Sequence, residues 1–246
     1  MRMAAEPSTK PDVLSRKDAE PPLQADFHMH TYYSKDCNTP PAALMRRAVK
    51  VGLTCIAVTD HNTIKGALEV QKLAPPELKV IIAEEVKTPH GEITGFFLKE
   101  QVPRDLSPAE TCKRIKAQGG LVSIPHPFDR VRRSVLKMGM LESILEYIDI
   151  VEVFNARTTL LRDSNSALEF AKKHNFLTGA GSDAHTAWEL GHVHIEMPPF
   201  KTVDEFKDSL RHAQIRGRRS TPFIHLFSTL TKWRKKYIYA PADRKN

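Results

Sequence analysis

Five groups of metal-ligand residues punctuate the chain, each directly after a short apolar run: His28-Met29-His30, Asp60-His61, Glu84-Glu85, His126 and Asp183-Ala184-His185. Imidazoles and carboxylates without thiolates suit zinc, manganese or iron rather than a structural cysteine-rich zinc site. His28 and His30 stand two apart, as do Asp183 and His185, so on a strand each pair would point to one side. Glu84 and Glu85 are adjacent and face opposite ways, so only one can enter a shared site. Asp60-His61 closes an apolar run, and a buried dyad needs partners. A carboxylate that holds a ligating histidine is one such arrangement. Taken singly, each group has a blander reading, as an exposed H-x-H pair, a surface aspartate at Asp36 or a loop histidine at His126. Together they exceed the needs of one ion. Two or three ions a few Å apart, bridged by a carboxylate, form the site type that clamps an in-line displacement at phosphorus.

The elements that must position these groups follow from the runs before them. Residues 23–27, 55–59, 80–83, 121–125 and 176–182 have the length and the β-branched or aromatic content of buried parallel strands. In a barrel or an open α/β sheet all five groups then lie at the carboxyl ends of strands, where such folds build their active sites. Between the runs lie helix signals. Thr39-Pro40 places a capping hydroxyl before a proline at the first helical position, and Gly52 stops that helix. Residues 64–74 read as a helix closed by Pro75-Pro76, and residues 140–147 and 164–174 as two more. Ser107-Pro108-Ala109-Glu110 and Thr202-Val203-Asp204-Glu205 are capping boxes. Strands alternating with helices imply βαβ units and a mainly parallel sheet. No repeat or linker interrupts residues 23–215, so one α/β domain is expected there.

At 246 residues, 41% of them apolar and 27% charged, the chain has room for one barrel-sized domain or two small ones. No apolar run nears the roughly 18 residues of a membrane span, so no membrane partner is expected. Residues 1–22 carry no apolar secretory core and read as a mobile extension. Three scattered cysteines suggest neither a disulfide framework nor a thiolate zinc site, which fits a reducing cytoplasm. The net charge of +8 comes from the end of the chain, where from Arg211 onward ten Lys and Arg accompany one acidic residue. Residues 216–246 therefore form a basic tail, a solvated terminus in one reading and an arm that attracts nucleic acid in the other. Trp233 and Tyr237, with Leu230 one turn before, are expected to pack back on the barrel, with base stacking as the alternative.

The order of the motifs resembles that of the PHP (polymerase and histidinol phosphatase) family of metal-dependent phosphoesterases. The resemblance runs through Asp26-Phe27-His28-Met29-His30-Thr31, Ser34-Lys35-Asp36, Thr59-Asp60-His61-Asn62-Thr63, Ala83-Glu84-Glu85-Val86, His126-Pro127 and Gly181-Ser182-Asp183-Ala184-His185. It implies a distorted (β/α)7 barrel in a single domain, holding two or three divalent ions such as Mn2+, Zn2+ or Fe2+. His28, His30, Asp36, His61, His126, Asp183 and His185 match family ligand positions. The family's Gly-x-Glu pattern on the third strand aligns with Ala83-Glu84-Glu85 and selects Glu85 as the bridging carboxylate. Many relatives place a further histidine in the segment after that strand. Here the segment begins at Glu92, with His90 the nearest histidine, which leaves two or three ions open.

Val153-Phe154-Asn155-Ala156-Arg157 also looks like a family segment. Asp60, Asn155 and Arg157 are expected in catalytic roles, with Arg157 pairing substrate phosphate unless it is held in a salt bridge. His192, His194 and the Arg130–Arg133 stretch are placed at the rim as substrate contacts. The implied reaction is metal-hydroxide attack on a phosphomonoester, a nucleotide or oligonucleotide among the candidates. The alternatives are an amidohydrolase-like C–N hydrolase, since that barrel also opens with H-x-H, and a metal-stabilised nucleic-acid-binding module.

Overall fold

Short apolar runs that bury both faces make the sheet: every residue of Cys55–Val58 and of Leu121–Ile124 is buried. The structure is a computed structural model that describes residues 20–220, 229–231 and 233–235. In chain order the elements are β1 (Leu23–Met29), α1 (Pro41–Lys50), β2 (Cys55–Val58), α2 (Lys65–Leu73), β3 (Lys79–Thr88), β4 (Gly91–Phe96), α3 (Pro108–Ala117) and β5 (Leu121–Ile124). There follow α4 (Met138–Glu142), β6 (Ile148–Asn155), α5 (Leu161–His174), β7 (Leu177–Gly181), β8 (Val193–Met197), α6 (Val203–Arg211) and β9 (Gln214–Gly217). Leu145–Tyr147 and Ala187–Glu189 are single 3-10 turns.

The sheet runs β7-β6-β5-β4-β3-β2-β1-β8-β9. β1, β2 and β3 are parallel, β4 folds back antiparallel on β3, and β5, β6 and β7 resume the first direction. Past the end of β7 the Asp183 amide donates to the His28 carbonyl (2.7 Å) and the His30 amide donates to the Ala184 carbonyl (2.9 Å). The first seven strands thus nearly close on themselves. The amino half of β1 pairs instead with β8, Leu23 opposite Met197. This is the single-domain distorted barrel expected, with β8 and β9 as an antiparallel ribbon at its edge. The sequence reading had no strand for this ribbon.

Alternation sorts the apolar side chains into two clusters. Cys55, Ala57, Ile81 and Ala83 fill the interior, where Phe206 of α6 meets Phe27, Phe97 and Phe200 edge-on with ring centres 5.4, 5.0 and 5.0 Å apart. Ile56, Val58, Ile82 and Val86 face the helices and pack with Leu44, Ala48 and Val70.

β1 changes phase part-way. Its register with β2 slips between Asp26 and Met29, as at a β-bulge. Phe27 and His28, adjacent in sequence, both line one small interior cavity, while Met29 joins the outer cluster. The slip therefore brings His28 and His30 inside. Asp26 sits at the slip, wholly buried, and accepts the amides of His28 (3.3 Å) and Ser182 (2.9 Å). Burial pushes its carboxyl up to about 7. Gly181 permits this close approach of β7 to β1, since a Cβ there would lie 2.2 Å from the His28 Cβ.

Ser107 and Thr202 cap α3 and α6 by accepting the amides of Glu110 and Glu205, each at 3.2 Å. Thr39 does not cap α1. Pro40 takes that place, with Pro41 in the first turn, and the Thr39 hydroxyl donates to the His185 carbonyl (3.3 Å). The last strand continues past residue 215 to Gly217. The amides of Arg218 and Ser220 then donate to the carbonyls of His192 and Ala156, both at 2.8 Å. Arg219 donates to the Thr159 carbonyl and the Ser164 hydroxyl, each at 3.1 Å, so this basic cluster is folded onto the domain. Residues 229–231 and 233–235 are helical, with Leu230 and Trp233 54% and 60% exposed. Residues 1–19 of the expected extension and Tyr237 lie outside the described residues. No helix among the described residues is long and apolar enough to cross a membrane.

Candidate metal centre

The carboxyl ends of the strands bring the ligand-type residues together. β1 carries His28 and places His30 just beyond its end, β3 carries Glu85, and the segments after β2, β5 and β7 carry His61, His126, and Asp183 with His185. Four overlapping triads hold their donor atoms within 4.8 Å of one another: His30-His61-His185, His28-His30-Asp183, His28-Glu85-His126 and His61-Glu85-Glu92. Glu85 belongs to two of these triads and also faces His30 of the other two. Its Oε2 stands 3.6, 3.7 and 3.0 Å from His28, His30 and His61, and its Oε1 stands 3.0 Å from His126. Asp183 Oδ1 lies 3.7 Å from His28 and 3.3 Å from His30, and Asp36 reaches His61 and His185, each at 3.5 Å. Ligand atoms about 2.1 Å from a tetrahedral ion stand about 3.4 Å apart, which is the spacing seen here.

Hydrogen bonding leaves this cluster incomplete. Among the described residues, His28 Nε2, His30 Nε2, Asp36 Oδ1 and Asp183 Oδ1 are buried without a hydrogen-bond partner. Buried polar atoms left in this way are costly, and several of them converging make a cradle for cations. The donor set fits divalent ions.

Charge is balanced inside the cluster. Burial disfavours a charged His28, but the Glu152, Asp183 and Glu85 carboxylates hold its pKa well above the ordinary value. His61 is raised in the same way by Glu85 and Asp36. Burial together with the neighbouring His185 lowers His30 to about 3. Burial would raise both Glu85 and Asp183, yet His28 and His61 hold Glu85 well below the carboxylate range, and Arg132 and His28 do the same for Asp183. His126 and Asp183 have φ of 32° and 53°, a strained backbone for residues with side chains and one that clusters at functional sites.

Supporting groups aim the cluster. Glu152, midway along β6, accepts from the His28 ring (3.0 Å), the His126 amide (2.6 Å) and Asn155 Nδ2 (3.0 Å). Asn155 also donates to Asp183 (3.2 Å). Arg132 pairs with Asp183 at 2.5 Å and with Asp129 at 3.1 Å. Glu189 holds the Arg157 Nε (2.7 Å) and accepts the amides of His185 (3.1 Å) and Thr186 (2.9 Å). A cleft of about 670 Å³ opens over Asp36, His61, Asp183 and His185, and Lys87, Arg132, Arg133, Lys137 and Arg157 stand on its walls.

Not every residue singled out in the sequence reaches this cleft. His28, His30, Asp36, His61, Glu85, His126, Asp183 and His185 assemble, with Asn155 touching Asp183 and Arg157 on the wall. Asp60 does not. Its oxygens are taken by the Thr31 amide (2.7 Å), the Thr31 hydroxyl (2.5 Å) and the Ser34 hydroxyl (2.6 Å), so it shapes the loop before Asp36. His192 bonds Ser220 (2.8 Å) and lines a separate cavity of about 580 Å³ beside Arg47 and Trp188. His194 lies on the half-exposed side of β8, where it alternates with buried Val193 and Ile195, and so misses the cleft. Glu84 accepts the Val102 amide (2.9 Å) on the outer side of β3. Glu92, Glu152 and Glu189 went unassigned in the sequence, and Arg132, placed at the rim with Arg130 and Arg133, instead pairs with Asp183. Glu92 stands 3.8 Å from His61 in the segment where the resemblance led us to expect a further histidine, and His90 lines the cleft without joining a triad.

The sequence pattern of the PHP domain matches residues 26–178, from the β1 slip to β7. The chain belongs to the PHP domain family. A PHP-associated pattern continues over residues 162–215. An uncharacterized protein of Methanocaldococcus jannaschii is 37% identical over 177 residues, 71% of this PHP chain and 70% of that protein. Among solved structures, a two-domain protein from Bacteroides vulgatus containing a predicted PHP-like metal-dependent phosphoesterase superposes with a TM-score of 0.67 at 16% identity. That match covers 80% of this chain and 65% of the other. An amidohydrolase from Chromobacterium violaceum superposes with a TM-score of 0.58 at 16% identity, over 78% of this chain and 97% of that one. At such identities the likeness shows a shared fold alone.

Proposed function

We propose that this PHP protein is a metal-dependent hydrolase that cleaves a phosphate ester, with a phosphomonoester such as a nucleotide, or a short oligonucleotide, as its substrate. The observation that carries the reading is the contact of Glu85 with four histidines beneath a cleft walled by Lys and Arg. His28, His30, His61, Glu85, His126, Asp183 and His185 are the residues suited to hold two or three ions, with Asp36 and Glu92 at the open side. Bound ions of this kind acidify a water and neutralise charge that develops on phosphoryl oxygens. The chain supplies the remainder. Glu152 fixes the His28 ring through its Nδ1, which leaves Nε2 facing the centre. Glu189 holds Arg157 at the cleft wall, where a guanidinium matches phosphate oxygens. Lys87, Arg133 and Lys137 draw anions toward the opening.

The likeness to an amidohydrolase barrel supports C–N hydrolysis as a second reading. The cationic walls favour an anionic phosphoryl group over a neutral amide. Manganese-loaded protein assayed against p-nitrophenyl phosphate, nucleoside monophosphates, short oligonucleotides and cyclic amides separates the two. Phosphoester cleavage abolished by chelator is the expected result. Amide turnover without phosphoester cleavage would overturn the proposal.

A further inference from the structure

Three backbone carbonyls converge where the loop that bears Asp36 meets the C-terminal segment. Lys235 Nζ donates to the carbonyls of Tyr32 (2.7 Å), Ser34 (2.8 Å) and Cys37 (2.6 Å). An ammonium has three N–H donors, so these three acceptors fill its shell. Carbonyl oxygens gathered at one point repel each other unless a cation lies among them, which is how alkali ions are held in selectivity filters. The loop is short and tightly pinned elsewhere. The Tyr32 amide donates to the Thr39 carbonyl (2.8 Å), Asp60 accepts from Thr31 and Ser34, and the Cys37 thiol donates to the His185 carbonyl (3.0 Å). Asp36 lies between the carbonyls of Ser34 and Cys37, and its two oxygens stand 3.5 Å from His61 and from His185. Where those carbonyls sit therefore decides where the Asp36 carboxylate sits. Thr229, from the same C-terminal segment, lines the cleft over the cluster.

We propose that Lys235 is a positioning residue of the metal centre, a tethered cation that holds the Asp36 loop in ligand geometry. The proposal rests on the metal-centre reading and makes this lysine of the basic tail a component of the site. It also makes a chemical demand. Any small cation able to sit among the three carbonyls should replace the ammonium.

The test uses full-length Lys235→Met, which removes the charge and keeps most of the stem, and Lys235→Ala, which leaves space. Metal uptake is followed with Mn2+ alone by equilibrium dialysis, and ligand geometry by the visible absorption of the Co2+-loaded protein. Both variants are expected to need about tenfold or more metal for full occupancy, the effect usual for losing an outer support of a ligand. Their Co2+ spectra should differ from wild type, while the metal-free melting temperature stays near wild type. Methylammonium or K+ should restore uptake by Lys235→Ala and leave wild type unchanged. Wild-type uptake and spectra in both variants would overturn the proposal. So would a loss that neither cation rescues, or one matched by unfolding of the metal-free chain. Normal wild-type metal uptake without phosphoester cleavage would sink the proposed reaction alone, because dialysis and the Co2+ spectrum read Lys235 without any substrate. A wild-type chain that takes up no metal would overturn both.

Discussion

Asp60 and His61 are neighbours in sequence and belong to two buried polar regions that use their atoms in opposite ways. Around Asp60 each carboxylate oxygen is engaged: two hydroxyls and an amide from Thr31 and Ser34 donate to it at 2.5 to 2.7 Å. Even the nearby helix yields, because a Cβ on Gly66 of α2 would lie 1.9 Å from Asp60 Oδ2. His61 joins the other region, where Glu85, Asp183, His28 and His30 crowd their donor atoms together and leave several without partners. Burial of polar groups is common to both. The first is complete as a protein structure, and the second leaves a cradle that suits cations. Satisfaction, rather than burial, separates a structural knot from a binding centre.

That contrast is open to attack by substitution. The largest effect is expected at Glu85, because it touches four histidines. Glu85→Gln should lower metal-dependent hydrolysis by about 100-fold or more. Retention of more than a tenth of wild-type turnover would place the centre elsewhere. Asp60→Ala should act on folding, leaving three donors without their acceptor and costing about 2–4 kcal/mol in a urea titration of the metal-free chain. A loss of turnover with no loss of stability would return Asp60 to the catalytic role the sequence suggested.

Glu84→Gln should be mild, changing turnover by less than about threefold, since its carboxylate points away from Glu85. It should nevertheless alter the pH profile of stability. Burial raises Glu84 to about 7 from an ordinary 4.5, so the folded chain keeps a proton that the unfolded chain has already lost. Its contribution is full below about 4.5 and is lost as pH climbs through 7. Denaturation midpoints of the variant should be flatter over that window, and an unchanged slope would count against the assignment. The smallest effect is at Cys37, Cys55 and Cys112, whose thiols burial pushes up to about 12. Iodoacetamide at pH 8 should leave all three unlabelled in the folded protein, and rapid labelling of any one would show that its site opens.

Much of the candidate metal centre could be read in the sequence because strand ends announce themselves. An apolar run that stops at His28, His61, Glu85, His126 or Asp183 gives both the element and the end at which its ligand sits. The phase of the β1 histidines did not follow from alternation, since the slip beside Asp26 puts Phe27 and His28 inside together. Two of the overlooked supports had signals. Glu152 is a lone acid inside Ile-Val-Glu-Val-Phe, and a charge in so apolar a run must have partners. Thr186 and Glu189 form a capping box around the 3-10 turn, and the same Glu189 holds Arg157. Arg132 was grouped with Arg130 and Arg133 at the rim, and only its pairing with Asp183 and Asp129 sets it apart from them. His192 and His194 misled because the β8–β9 ribbon pairs outside the barrel run, where a short alternating strand turns its histidine toward solvent.

Counting bound metal tests the central claim most directly. Wild-type protein, Glu85→Gln and Asp60→Asn would each be stripped with chelator, reloaded with Mn2+, freed of excess ion and analysed by inductively coupled plasma mass spectrometry. Two or three ions per wild-type chain are expected, with the loss of at least one in Glu85→Gln and the wild-type number in folded Asp60→Asn. No stably bound metal in the wild-type chain, or a full complement in Glu85→Gln, would contradict that claim.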